Sequence, residues 1–203
     1  MSRLQKSSQL TAEIFRGVSG DSKTAGVTVI ERTGIALSTI IARTAEAKMR
    51  FADAGVQLPL RPAFVRGPSF DVICTGPDQW LAGRQRAEGR EFEQELARIA
   101  GEAASVFDQS AGRVSFGLWG PSARAVLSKG VLIDLHPAVF GPGSAVVTSI
   151  AHIGVCLWHD APGYEVVVFR SFAESFCDWL LGAAAEYGIA ATAEPGQSFS
   201  ADR

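Results

Sequence analysis

The chain is poor in the residues that most often carry chemistry: of its 203 residues only three are cysteine, three histidine and two tyrosine. Cys74, Cys156 and Cys177 are odd in number, far apart and set in apolar contexts, and no C-x-x-C pair occurs. That excludes a disulfide scaffold, a zinc knuckle and a dithiol redox motif, and predicts buried thiols in a reducing compartment. His136, His152 and His159 never stand one helical turn apart, so no metal-binding helix face is predicted. Glycine is common, yet neither G-x-G-x-x-G nor G-K-[ST] is present, so no backbone cradle for phosphate is expected. A G-x-S-x-G elbow is also missing. With a formal net charge of −2, the chain offers no basic field for nucleic acid. Its most apolar stretch, Ala145 to Trp158, is interrupted by Thr148, Ser149 and His152 and is too short to span a bilayer. The first eleven residues lack the apolar core of a secretory signal, which predicts a cytoplasmic chain. Between Leu135 and His159 there is no Asp or Glu at all, so that segment can supply no carboxylate, either as general base or as electrostatic partner.

What is present is hydrophobic mass. Apolar residues make up 47% and charged residues 20%, and the mean hydropathy of +0.14 is high for a soluble monomer. The length suffices for one large domain or two small lobes with a true core. Trp80, Trp119, Trp158 and Trp179 fall at or near element ends as often as in their middles, and arginine exceeds lysine. Both features match the composition of interface hot spots, so some of these aromatics are expected to reach a partner.

Read in order, residues 1–25 form a flexible polar N-terminus, 26–109 a first unit, 110–190 a second and 191–203 a flexible tail. In the first unit, Ile35–Ala42 is β-branched and predicts a strand, followed by an amphipathic helix over Glu46–Ala54 closed by Gly55. Leu58–Pro68, with three prolines, reads as loop. Strands follow at Phe70–Cys74 and from Gln79. A helix over Glu91–Ala100 buries Phe92, Leu96 and Ile99, and Val106–Phe107 closes the unit.

The second unit opens with a strand at Val114–Leu118 and a helix from Pro121, a residue suited to the first helical position. Strands at Ala145–Ile150, Ile153–Trp158 and Tyr164–Phe169 come next, with Asp160–Gly163 as a turn and Tyr164–Phe169 the strongest strand of all. A last helix is expected to start at Ser171, whose S-x-x-E relation to Glu174 reads as a capping box, and to bury Phe172, Phe176, Trp179, Leu180 and Ala183. The pattern predicts an α+β fold of two tandem split β-α-β (ferredoxin-like) units. His152, inside an apolar strand pair, is expected to be buried and to need a partner. The run Asp108-Gln109-Ser110 between the units reads as an Asx or Ser turn.

Several runs together resemble the gamma subunit family of heterotetrameric sarcosine oxidase. They are Leu58-Pro59, Gly76-Pro77-Asp78-Gln79-Trp80-Leu81, Asp108-Gln109-Ser110 with Gly112-Arg113, Gly120-Pro121-Ser122-Ala123-Arg124, Lys129-Gly130, Asp134-Leu135-His136-Pro137, Phe140 with Gly143, Ala151-His152 and Arg170-Ser171-Phe172-Ala173. The likeness spans roughly residues 30–188 and rests on the ordered series. That family is in turn similar to the aminomethyltransferase of the glycine cleavage system, which implies its folate-binding fold. The resemblance implies a complex that oxidises sarcosine to glycine with flavin and O₂, yielding H₂O₂ and either formaldehyde or methylene-tetrahydrofolate. FAD, FMN, NAD and tetrahydrofolate are then expected on larger partner subunits, and this chain is expected to bind no cofactor or metal, to have no catalytic residue and to be inactive alone. Two alternatives stay open. One is a vestigial folate cleft between the units, bounded by Asp108, Arg113 and Trp158. The other is the equivalent subunit of an N-methylglutamate dehydrogenase-type complex.

Overall fold

The computed structural model describes residues 25–195, and these form one antiparallel and one mixed sheet flanked by helices. The five-stranded sheet has the order β3-β4-β5-β2-β6, from β2 (Ile35–Ala42), β3 (Phe64–Val65), β4 (Asp71–Gly76), β5 (Gln79–Gln85) and β6 (Ala104–Asp108). Helices α1 (Glu46–Asp53) and α2 (Gly89–Ala100) cover its outer face. The six-stranded sheet runs β11-β1-β7-β10-β9-β8. Its strands are β1 (Val27–Thr33), β7 (Arg113–Trp119), β8 (Ala145–Ile150), β9 (Ile153–Asp160), β10 (Gly163–Phe169) and β11 (Ile189–Pro195), backed by α3 (Ala123–Ser128) and α4 (Ala173–Ala184).

Alternation along the strands explains the layering. On β7, Val114, Phe116 and Leu118 point to α3 and α4, as do Val155 and Leu157 of β9 and Val166 and Val168 of β10. On the other sheet, Ala36 and Ile40, Val72 and Cys74, and Trp80 and Ala82 meet Phe51, Phe92 and Leu96 of α1 and α2. The remaining faces pack on each other. Leu37, Ile73 and Leu81 from one sheet join Ala145, Cys156, Trp158 and Val167 from the other in a third apolar cluster. The order of layers is therefore helix, sheet, sheet, helix. Strand β10 is buried on both faces, which is why its sequence reads as a nearly continuous apolar run.

Local chemistry sets the ends of the elements. Glu88 caps α2, its carboxylate accepting from the Glu91 N–H at 3.1 Å, and Arg84 clamps the same helix through a two-pronged pair with Glu95 at 2.6 and 2.7 Å. Between β1 and β2 the chain passes from one sheet to the other at Gly34, whose φ of 69° is open to glycine at no steric cost.

Several expectations need correction. Val27–Thr33 lies within the span assigned to the first unit, yet it inserts between β7 and β11 in the other sheet, antiparallel to the first and parallel to the second. The presumed tail from residue 191 is ordered as far as Pro195, in β11. The expectations for residues 1–24 and 196–203 lie outside the described residues. Inside the proline-rich loop, Phe64–Val65 forms a short edge strand on β4. Pro121 precedes α3, which starts at Ala123 after Ser122. No capping box forms at Ser171, because Arg170–Phe172 is a separate 3-10 turn, α4 starts at Ala173, and Phe172 is left exposed. His152 sits with Ala151 at the tip of the β8–β9 hairpin, exposed and at φ 70°.

Candidate functional site

At one end of the space between the sheets the apolar packing gives way to charge. Arg32 of β1 donates from Nη2 to Oε1 of Glu165 on β10 at 2.7 Å, and the pair is almost wholly out of solvent. The Arg32 guanidinium also lies over the Trp119 ring, 4.5 Å from its centroid. Trp119 lies against the sheet because Gly117 and Gly163 leave room for it: a Cβ on either glycine would overlap the indole. At the end of β9, Asp160 accepts two hydrogen bonds from Arg66 Nη2, both at 2.8 Å, tying the β3–β4 connection to the opposite sheet. Phe64 reinforces that joint, its ring stacked on Trp158 at 5.8 Å and its N–H donating to the Gly143 carbonyl at 2.8 Å.

Burial governs the electrostatics here. Desolvation raises the Glu165 carboxyl to about 6 despite the hydrogen bond and charge of Arg32. Asp71, beside Arg66, is likewise pushed up to about 6 by burial. Asp160 is raised too, for the same reason, with Arg66 pulling the other way. A carboxylate titrating near 6 could serve as a base, but the Glu165 oxygens face Arg32 at 2.7 and 3.4 Å. The Arg32–Glu165 pair stores charge between β1 and β10 of one sheet, while Arg66–Asp160 is the pair that ties the two sheets together.

The three residues expected to bound a cleft are not gathered around one space. Trp158 is 1% exposed, covered by Phe64 and packed in the cluster between the sheets. Arg113 shares its sheet face, but Arg113 pairs with Phe169 of β10 whereas Trp158 pairs with Glu165. They are offset by four residues, about 13 Å, along the strand direction and lie on either side of β10. Asp108 ends β6 and is taken up by the linker: its Oδ1 accepts from the N–H and Oγ of Ser110 at 2.8 and 2.6 Å, and Ser110 Oγ in turn accepts from the Leu37 N–H at 3.0 Å. The Asx turn read from the sequence is therefore present.

The cysteines are free and buried as expected. Desolvation raises the thiols of Cys156 and Cys177 to about 12, so neither is a thiolate nucleophile at neutral pH. Among the described residues no three His, Cys, Asp or Glu side chains converge on a metal position, and no helix is long and apolar enough to cross a membrane. A surface groove of about 300 Å³ runs beside the Gly76-Pro77-Asp78 turn, walled by Lys48, Leu60 and Trp80.

Sequence reasoning missed Arg32 and Glu165. Glutamate in the middle of the apolar run Tyr164–Phe169 was the available signal, since a buried carboxylate demands a cation. It also bears on the acid-free stretch from Leu135 to His159: Glu165 stands directly across from Trp158 on the neighbouring strand, so the sheet brings a carboxylate to a place the linear sequence leaves without one.

Comparison with known proteins fits this architecture. The family model described as the sarcosine oxidase gamma subunit family matches residues 39–186. The sarcosine oxidase subunit gamma of Corynebacterium sp. (strain P-1) is 36% identical over a stretch covering 66% of this chain and 66% of that relative, so the chain matches just under two thirds of its length. A chain of the heterotetrameric sarcosine oxidase from Corynebacterium sp. U-96, solved in complex with pyrrole 2-carboxylate, superposes with a TM-score of 0.78 at 29% identity, covering 90% of this chain and 94% of that one. The glycine cleavage system aminomethyltransferase T from Bartonella henselae shares the fold, with a TM-score of 0.62 at 13% identity over 92% of this chain and 51% of that chain. With most of its length matched by the family model and its fold shared with a chain of the assembled oxidase, this chain belongs to the sarcosine oxidase gamma subunit family.

Proposed function

We propose that the chain is the gamma-type subunit of a heteromeric, flavin-containing sarcosine oxidase, and that it shapes the assembly without performing the oxidation. The observation that carries this reading is the correspondence with a chain of the U-96 heterotetramer over 90% of this chain and 94% of that one. Chemistry internal to the chain supports a structural role: the Glu165 and Asp160 carboxylates face arginines, and its two most shielded thiols are held neutral. FAD, FMN, NAD and tetrahydrofolate belong, on this reading, to the larger subunits. The strand orders β6-β2-β5-β4 and β11-(β1)-β7-β10-β9 are read as two split β-α-β units, the second with β1 intercalated.

Co-purification with the neighbouring subunits, followed by an absorbance spectrum and oxidase assays with sarcosine and N-methylglutamate, tests the proposal. The complex is expected to be yellow and active on sarcosine, and the single chain colourless and inactive. Stoichiometric flavin on the purified single chain would refute the structural role, and turnover of N-methylglutamate alone would reassign the substrate. A folate-type ligand between Asp108, Arg113 and Trp158 would require Trp158 to part from Phe64, so titration with tetrahydrofolate is expected to give no heat.

A further inference from the structure

Where the two halves of the chain meet at the surface, one cation is left without an anion. Arg113, the first residue of β7, lies over the Phe169 ring with its guanidinium carbon 4.3 Å from the centroid. Its Nε is buried with no acceptor, and its side chain makes no ion pair among the described residues. Every other arginine between the sheets differs: Arg32 has Glu165 and Arg66 has Asp160. Beside Arg113 the surface is apolar, for Phe169 is 46% exposed and Phe172, across a single 3-10 turn, is 48% exposed.

The corner is also rigid. Arg170 donates from Nε to the Ala111 carbonyl at 2.6 Å and from Nη2 to the Arg113 carbonyl at 3.1 Å, while the Arg170 N–H bonds the Gly112 carbonyl at 2.9 Å. Asp108 and Ser110 pin the other end of the same linker to Leu37. A desolvated guanidinium costs free energy unless paired. An arginine stacked on one exposed phenylalanine, with a second exposed phenylalanine one turn on and its backbone held before contact, has the make-up of an interface hot spot.

From this we infer that Arg113, Phe169 and Phe172 form a docking point for a larger subunit of the complex, which contributes an aspartate or glutamate carboxylate to the Arg113 guanidinium and apolar side chains to the two phenylalanines. The occupant follows from charge: the site presents an unpaired cation and no acceptor, so its complement is an anion carried on an apolar surface. The inference rests on the subunit reading above.

The test uses the full chain co-expressed with its larger subunits, comparing wild type with R113E, R113Q and F169A and reading affinity and complex yield. Thermal melts of the isolated variants serve as the folding control. R113E is expected to weaken assembly at least about tenfold, and R113Q and F169A less, with melts close to wild type. Variants that fold and assemble like wild type would overturn the inference while leaving the subunit reading intact. Failure of the wild-type chain itself to join a sarcosine-oxidising complex would sink the subunit reading instead. Wild-type self-association abolished by R113E would identify a second copy as the occupant and also overturn it.

Discussion

Removing one partner from Arg32–Glu165 leaves the other charge stranded in a dry interior. R32M is therefore expected to destabilise the chain by about 3–5 kcal/mol in chemical denaturation, whereas R32M combined with E165L should recover much of the loss. Acidity gives a second handle on the same pair. Burial raises Glu165 from 4.5 to about 6 and Asp71 from 3.8 to about 6, so between those values the folded chain binds more protons than the unfolded one. Their contribution to stability thus falls as pH rises towards 6 and is level above it. Thermal midpoints measured from acid to neutrality should show a shallower fall for E165Q than for wild type. The glycines under Trp119 make a separate point: G163A should push the indole off the sheet, costing about 1–3 kcal/mol and shifting the tryptophan emission.

Strand β1 holds its place by pairing on both sides, with β7 and with β11. Deleting residues 25–33 is expected to release β11 as well, since β11 has no other neighbour in the sheet order, and proteolysis should then remove the C-terminal strand. Elements with local signatures were legible in the sequence. The valines of β10 and the Phe92–Leu96 stripe of α2 carry their own periodicity, and all three cysteines lie in apolar surroundings that predict burial. Elements defined by distant partners were not. The run Val27–Thr33 is β-branched enough to read as strand, but nothing local says that it pairs with β7 and β11 in the other sheet, and Glu165 is satisfied by a residue 133 positions away. At Ser171 a sound local motif was overruled, because Arg170 is held by the carbonyls of the linker before β7 and the chain tightens into a 3-10 turn there. For the cleft residues the sequence gives proximity in chain order but no register, and register decides that Arg113 and Trp158 lie far apart on one face.

Across the whole molecule, the cluster between the sheets is what makes two lobes one body. Trp158 is its largest member, so W158A should cost about 3–5 kcal/mol. In calorimetry the wild type is expected to unfold in a single transition, and W158A to broaden or split it as the lobes uncouple. The placement of β1 bears on how a cell makes this protein. All strands of the five-stranded sheet have left the ribosome once Asp108 has, but β1, synthesised before any of them, waits for residues 113–119 to gain its first partner and for 189–195 to gain its second. During that interval it is a bare strand edge, open to pairing with the wrong neighbour. Thr28, Glu31 and Arg32, the polar positions that break its apolar run, are therefore guards for the nascent chain as well as parts of the finished sheet.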